Sequence, residues 1–330
     1  MQCLAQSSDM TTIRLVDIRK IGLGVPEPSR DDLLNVGRDI VDSFSSTGFA
    51  YLSNHGISQQ LQDYTFTVAK GFFDLDTEQK LAYERFVRTG YTGYTPIAGD
   101  NSTNATDSAA GVTDLKECFD LRCLEDACPD DVAPQLGPQL RRIGTACRQL
   151  SERLLAALDA ALGSGQLLTS CHRRQLQPGG WTVLRLLHYP AAGGAAAGRC
   201  QTRCGAHTDF STLTLLFQHG VGGLQVEMSD GRWISAEPIP GTILVNIGDV
   251  IEVMTSGRLR ATNHRVLLPT SEPARGTARQ SMAFFVQPDQ GTTVAPLDGD
   301  PRYQPIDFNS FIQDKFASVY PTYKESDWKC

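Results

Sequence analysis

From residue 181 to residue 286 the chain is cut into short apolar, β-branched runs with turn residues between them, and this punctuation constrains the fold more than any other feature. The runs are 181–189, 211–217, 223–227, 232–236, 242–246, 259–268 and 278–286. Ser229-Asp230-Gly231 and Pro238-Ile239-Pro240-Gly241 supply turn chemistry at two of the breaks. Each run is shorter than an ordinary helix and rich in Val, Ile, Leu, Thr or Phe, so each reads as a strand. Many short strands at regular spacing predict a sandwich or jelly roll, a fold that brings the ends of sequence-distant strands to one mouth.

Three short motifs sit on or beside these runs. His207-Thr208-Asp209 immediately precedes the run 211–217, His264 lies inside 259–268, and Arg279-Gln280-Ser281 opens 278–286. On an extended strand residues i and i+2 share a face, so His207 and Asp209 are expected to point into one cavity. Two imidazoles and one carboxylate form the facial ligand set that suits non-haem Fe(II) and leaves coordination positions open. Alone, an H-x-D pair is weak evidence, because a hydrogen-bonded His–Asp pair at a strand end looks the same. Arg279 and Ser281 also share a face, and a guanidinium fork with a hydroxyl suits a carboxylate. A salt-bridged surface strand is the plain alternative for that pair. Together, in this order and spacing, the motifs point to a metal centre with a carboxylate site beside it.

On His207-x-Asp209, His264 and Arg279-x-Ser281 the chain resembles the 2-oxoglutarate- and Fe(II)-dependent dioxygenase family, in its isopenicillin-N-synthase-like branch, over nearly its whole length. The resemblance implies an α+β fold with a double-stranded β-helix (jelly-roll) core, flanking helices and an N-terminal α/β region. It implies Fe(II) on His207, Asp209 and His264, 2-oxoglutarate as co-substrate, and O2. Arg279 and Ser281 would hold the distal carboxylate of 2-oxoglutarate. A family strand ending in N-Y-Y-P adds a tyrosine there; here it reads Leu187-His188-Tyr189-Pro190, so Tyr189 matches while Leu187 and His188 depart. The implied reaction oxidises a C–H bond of a small molecule with release of succinate and CO2. Branch members that do not use 2-oxoglutarate also carry R-x-S, so the motif marks a carboxylate site without naming the carboxylate. An iron oxidase independent of 2-oxoglutarate and a non-catalytic iron- or 2-oxoglutarate-binding protein are the alternatives.

Composition bounds the rest. A length of 330 residues with 41% hydrophobic content suffices for a large core. A net charge of −7 leaves no basic footprint for nucleic acid. No apolar run reaches the ~18 residues that would span a bilayer, and residues 1–9 lack the pattern of a signal peptide, so a cytoplasmic protein is expected. The nine cysteines are scattered and are expected to be reduced thiols. Cys200 and Cys204 lack the second ligand pair that a zinc knuckle needs. No obligate protein partner is inferred.

Four regions are expected: an N-terminal dioxygenase-type region at 11–120, a helical connector at 121–179, the jelly-roll core at 180–290 and a C-terminal segment with a helix at 291–330. Apolar periodicity predicts helices over 31–47, about 58–75, 139–162 and 308–319. His55 follows a strand at 48–52 and reads as structural. The segments 88–94 and 114–117 resemble family segments near the active-site entrance. The Gly/Ala stretch 191–198 reads as a connector or a lid, and Phe285 as a pocket wall or a core residue.

Overall fold

The computed structural model describes residues 12–85, 92–97, 114–191, 202–269 and 276–319. Tyr91, Cys200, the loop 98–111 and all of 191–198 except Ala191 lie outside the described residues. The first half comprises β1 (Leu15–Asp17), α1 (Arg30–Thr47), β2 (Phe49–Ser53), α2 (Gln59–Phe73), α3 (Thr77–Leu81), β3 (Gly93–Thr95), β4 (Glu117–Leu121), α4 (Leu136–Leu162) and α5 (Leu167–Ser170). The roll follows as β5 (Val183–Tyr189), β6 (Thr202–His207), β7 (Leu213–His219), β8 (Leu224–Glu227), β9 (Trp233–Ser235), β10 (Thr242–Ile247), α6 (Asp249–Met254), β11 (His264–Leu267) and β12 (Arg279–Val286). A short pair, β13 (Thr293–Val294) and β14 (Ile306–Asp307), leads to α7 (Phe308–Val319).

Among the described residues, two sheets form the roll. The larger has eight strands in the order β1-β2-β10-β7-β12-β5-β4-β3, and the smaller has four, β6-β11-β8-β9. From β5 onward the chain crosses back and forth between them, which is the jelly-roll winding. β2 pairs with β10 and β4 with β5. The N-terminal region is therefore hydrogen-bonded into the large sheet at both edges, and does more than pack against it.

Side-chain alternation decides what each face does. Leu184, Leu186, Leu213, Leu215, Phe217, Met282, Phe284 and Val286 face a helical layer and join one core with Phe44, Phe66, Phe72, Leu150 and Leu154. Burying each such side chain contributes roughly 1.5–3 kcal/mol. The alternate residues, including Leu187, Tyr189, Leu244 and Ala283, face the small sheet and meet Cys204, Leu224, Val226 and Val266. The space between the two sheets is where the motifs meet.

Helix ends obey local chemistry. Ser29 caps α1 by accepting the Asp32 amide at 3.1 Å. Gly48 ends the same helix at φ +72, and a side chain there would strike Thr262 on the approach to His264. One expectation fails: the run 259–268 is a strand only over His264–Leu267. Its first residues instead pack on α6, which the sequence reading missed. The Leu259 amide donates to Thr255 Oγ1 at 3.1 Å and the Ala261 amide to Glu252 Oε2 at 2.6 Å, so side chains of and beside α6 take the donors a strand ladder would have used.

Candidate active site

β6 and β11 are neighbours in the small sheet, and their register sets His207 directly opposite His264. The two rings lie 4.3 Å apart between centroids. Asp209 is not on the strand with His207, as the i, i+2 reading expected. β6 ends at His207, and Asp209 sits in the turn that carries the chain to β7 in the other sheet. That turn is held from below: the Asp249 amide donates to Asp209 O at 2.8 Å, and the Gly248 amide to Thr212 O at 3.3 Å. The pair still converges, because a turn can aim Asp209 back at the strand end.

The donor geometry fits a divalent metal. His207 Nδ1 donates to Gly205 O at 2.8 Å and His264 Nδ1 to Thr262 O at 3.1 Å. With Nδ1 protonated, each ring presents the lone pair of Nε2. These Nε2 atoms lie 3.9 Å (His207) and 3.6 Å (His264) from Asp209 Oδ1. One ligand atom from each of the three residues falls within 4.8 Å of the others. Asp209 Oδ2 faces the opposite way and accepts from Thr214 Oγ1 at 2.6 Å and Asn246 Nδ2 at 2.7 Å. The carboxylate is thus fixed with Oδ1 turned to the two imidazoles. Phe49 meets the His264 ring edge-on at 5.6 Å.

Electrostatics agree with this arrangement. Burial opposes ionisation of Asp209, but the adjacent His264 and His207 and the bonds from Asn246 and Thr214 outweigh it and hold the carboxyl below its usual value. Burial and the neighbouring His207 push His264 down to about 4, so its ring is neutral at physiological pH.

From this cluster a cavity of about 580 Å³, including its open mouth, runs along the large sheet to Arg279. Apolar walls come from Phe49, Leu187, Leu216, Leu224, Val266 and Phe285, and Phe285 both lines the cavity and packs on the core beside it. Arg279 is 1% exposed. Its Nε donates to Val221 O at 3.1 Å, Nη1 to Ser281 Oγ at 3.2 Å and Nη2 to Gln218 Oε1 at 3.1 Å. Tyr189 lies opposite Arg279 in the β5–β12 register, its ring 4.9 Å below the guanidinium. Burial raises the Tyr189 phenol above its ordinary value, with Arg279 opposing. Arg185 also lines the cavity, held by Asp120 through bonds of 2.7 and 2.8 Å and lying over the Phe285 ring.

His188 turns away from this cavity. It bonds Glu117 Oε1 at 2.8 Å and stacks on Phe73 under the helices. Tyr94, at the end of the segment 88–94, also faces the helices and donates to Glu117 Oε2 at 2.6 Å. His55 is buried, and its Nδ1 accepts the Ile57 amide at 3.1 Å, a structural role. Reasoning from sequence missed Thr214, Asn246, Gln218, Lys116 and Arg203. Thr214 and Gln218 could have been found by extending the strand alternation, since they share the inward phase of β7 with Leu216. Arg203 had no such signal. It is fully buried near Arg279, donates from Nη2 to Thr277 O at 2.7 Å, and has Nε and Nη1 without partners among the described residues.

Known proteins share this architecture. The sequence model of the 2OG-Fe(II) oxygenase superfamily matches residues 181–288, and that of the N-terminal region of the non-haem dioxygenases in morphine synthesis matches 13–141. A homoarginine-6-hydroxylase of Oryza sativa subsp. japonica (2-ODD-233) is 30% identical over 339 residues, covering 95% of this chain and 99% of that protein. The 2-oxoglutarate-dependent dioxygenase frbA of a Dothideomycetidae species is 32% identical, covering 85% and 87%. A full-length Neurospora crassa protein, solved in complex with alpha-KG and thymine, superposes with a TM-score of 0.79 at 26% identity, covering 94% of this chain and 98% of that one. With the fold, the His–Asp–His cluster and these relatives in agreement, the chain belongs to the 2OG-Fe(II) oxygenase superfamily and is a 2-oxoglutarate-dependent oxidoreductase that requires Fe(II), 2-oxoglutarate and O2.

Proposed function

We propose that His207, Asp209 and His264 hold the Fe(II), that Arg279, Ser281 and Tyr189 hold the distal carboxylate of 2-oxoglutarate, and that the remaining cavity takes a small organic molecule. The single observation behind this reading is one cavity with a two-imidazole, one-carboxylate cluster at one end and a buried arginine at the other. When bound, iron and 2-oxoglutarate supply O2 activation coupled to oxidative decarboxylation, yielding succinate and CO2 and oxidising a substrate C–H bond.

The chain's own part is positional. The carbonyls of Gly205 and Thr262 fix the histidine tautomers, and Thr214 with Asn246 keeps one carboxylate oxygen of Asp209 directed at the cluster. Arg279, tied to Val221, Gln218 and Ser281, offers a rigid guanidinium instead of a mobile surface charge. Leu216, Val266 and Phe285 keep water from the reacting end. Arg185 and Phe285 give the wall a polar group and an aromatic face for the substrate. The relatives' named ligands, thymine and 5-formyluracil for the Neurospora crassa protein and homoarginine by the name of the rice hydroxylase, support a compact polar substrate.

Anaerobic addition of Fe(II) and then 2-oxoglutarate, followed by visible absorbance, tests the assignment. A weak charge-transfer band should appear only with both additions, be lost in His264→Ala, and demand far more 2-oxoglutarate in Arg279→Ala. Iron binding without a band in the wild-type protein would overturn the chelation reading and make Arg279 and Ser281 a substrate-carboxylate site.

A further inference from the structure

β4 and β5 are antiparallel, with Glu117 opposite His188 and Cys118 opposite Leu187. One residue earlier, Lys116 therefore comes opposite Tyr189. On the other side of Tyr189, β12 places Arg279 opposite the same residue. Lys116, Tyr189 and Arg279 thus form one row across three adjacent strands, and all three line the cavity. Alternation explains the direction of Lys116: Glu117 turns to the helices, where it meets Lys80 and Tyr94, so its neighbour faces inward.

Lys116 is a built feature of this end, not a surface lysine. Its side chain is 2% exposed, and Nζ lies 3.0 Å from Asp114 Oδ2 and 3.4 Å from Cys204 Sγ. Asp114 is itself fully buried, and its other oxygen accepts the Gly205 amide at 2.9 Å. The ammonium is therefore aimed across the cavity end towards β6, within electrostatic reach of the Tyr189 ring that Arg279 also reaches. A lysine desolvated to this degree is costly, and an apolar residue could tie the same segments together at less cost. The Leu187 side chain offers no hydrogen bond, so polar help for a bound dianion beyond Tyr189 comes from the neighbouring strands.

We propose that Lys116 is a second positive anchor for the distal carboxylate of 2-oxoglutarate, gripping it from the flank of Tyr189 opposite Arg279, with Asp114 fixing its direction. This rests on the reading that the Arg279 end takes that carboxylate. Lys116 is a positioning residue: it sets the depth and angle at which the co-substrate lies, and it does not take part in the chemistry.

The test compares two ligands on the Fe(II)-loaded protein under anaerobic conditions, with affinities read by calorimetry. 2-Oxoglutarate carries both ends; 2-oxopentanoate keeps the chelating end and lacks the distal carboxylate. Lys116→Met should weaken 2-oxoglutarate about tenfold or more and leave 2-oxopentanoate within about twofold. Lys116→Arg, which keeps the charge, should restore most of the preference for 2-oxoglutarate, and Lys116→Gln, which also removes the charge, stands in for the first variant if Lys116→Met does not fold. Equal weakening of both ligands would mean that Lys116 only braces the strands, and no change in either would mean that it does nothing here. Both results overturn the proposal, as would a Lys116→Arg protein that has lost the preference. Wild-type protein that holds 2-oxoglutarate no more tightly than 2-oxopentanoate would instead remove the carboxylate anchor at Arg279 on which the proposal stands, and this control separates the two failures.

Discussion

Thr214 and Asn246 touch no metal position, yet both should govern metal affinity. Each donates to Asp209 Oδ2, at 2.6 and 2.7 Å, and together they leave Oδ1 as the oxygen directed at the two histidines. Thr214→Val and Asn246→Leu are near-isosteric and remove one donor apiece. A hydrogen bond to a charged group is worth about 1.5–3 kcal/mol, and the part of it that holds the carboxylate in orientation is lost to metal binding. Outer partners of metal ligands elsewhere cost 10–100-fold in affinity when removed, so we expect roughly 30-fold weaker Fe(II) binding for either substitution. The double variant should lose less than the sum, because both act on one oxygen. Losing a donor also raises the Asp209 carboxyl towards its ordinary value. Protons then compete with metal at higher pH, and the midpoint of metal binding should move upward. Anaerobic Fe(II) titration at several pH values, with thermal melting as the folding control, reads both effects. If the folded variants bind Fe(II) within threefold of wild type at neutral pH, the orienting role is wrong.

Three further outcomes follow from separate parts of the structure. His172 is fully buried, donating from Nδ1 to Leu168 O at 2.6 Å and accepting from Thr212 at 2.7 Å, and burial pushes it down to about 4. Because the folded value lies below the unfolded value near 6.5, the unfolded chain alone gains a proton between those limits. Stability is full above about 6.5 and falls as the pH drops towards 4, by up to about 3 kcal/mol. Urea midpoints of wild type and His172→Gln across that range should converge on acidification, and parallel curves would refute the assignment. Gly248→Ala places a Cβ 2.2 Å from Ser211 O and 2.6 Å from Asp209 O. It should shift the metal turn, weakening Fe(II) at least tenfold and costing about 1–3 kcal/mol of stability; unchanged metal affinity would show that the turn gives way freely. Phe284 is wholly buried under the helices whereas Phe285 lines the cavity. Phe284→Ala should cost about 3–5 kcal/mol in chemical denaturation, and Phe285→Ala clearly less; equal losses would contradict the inward direction of Phe285.

The candidate ligand types and the chemistry they suggest were legible in the sequence because they depend on residue identity: two histidines, a carboxylate, and an arginine with a hydroxyl two positions on. Most strands and long helices were legible because a period of two or of 3.6 records which face is buried, as in β12, where Met282, Phe284 and Val286 go to the helices and Arg279, Ser281 and Phe285 to the cavity. Long-range pairing was not. The short helix α6 and the loop 259–263 misread as strand depend on side-chain bonds from Glu252 and Thr255, which leave no periodic trace. Nor does local pattern say that Asp209 sits in a turn, that Asn246 reaches it from β10, or that Lys116 shares a row with Tyr189 and Arg279. Those facts come from strand register between segments tens of residues apart, so only the closed roll could decide them. The sequence determined which groups were available for the chemistry; the tertiary structure decided which of them face one another, because hydrogen-bonded pairing across the two sheets, not nearness along the chain, sets their distances.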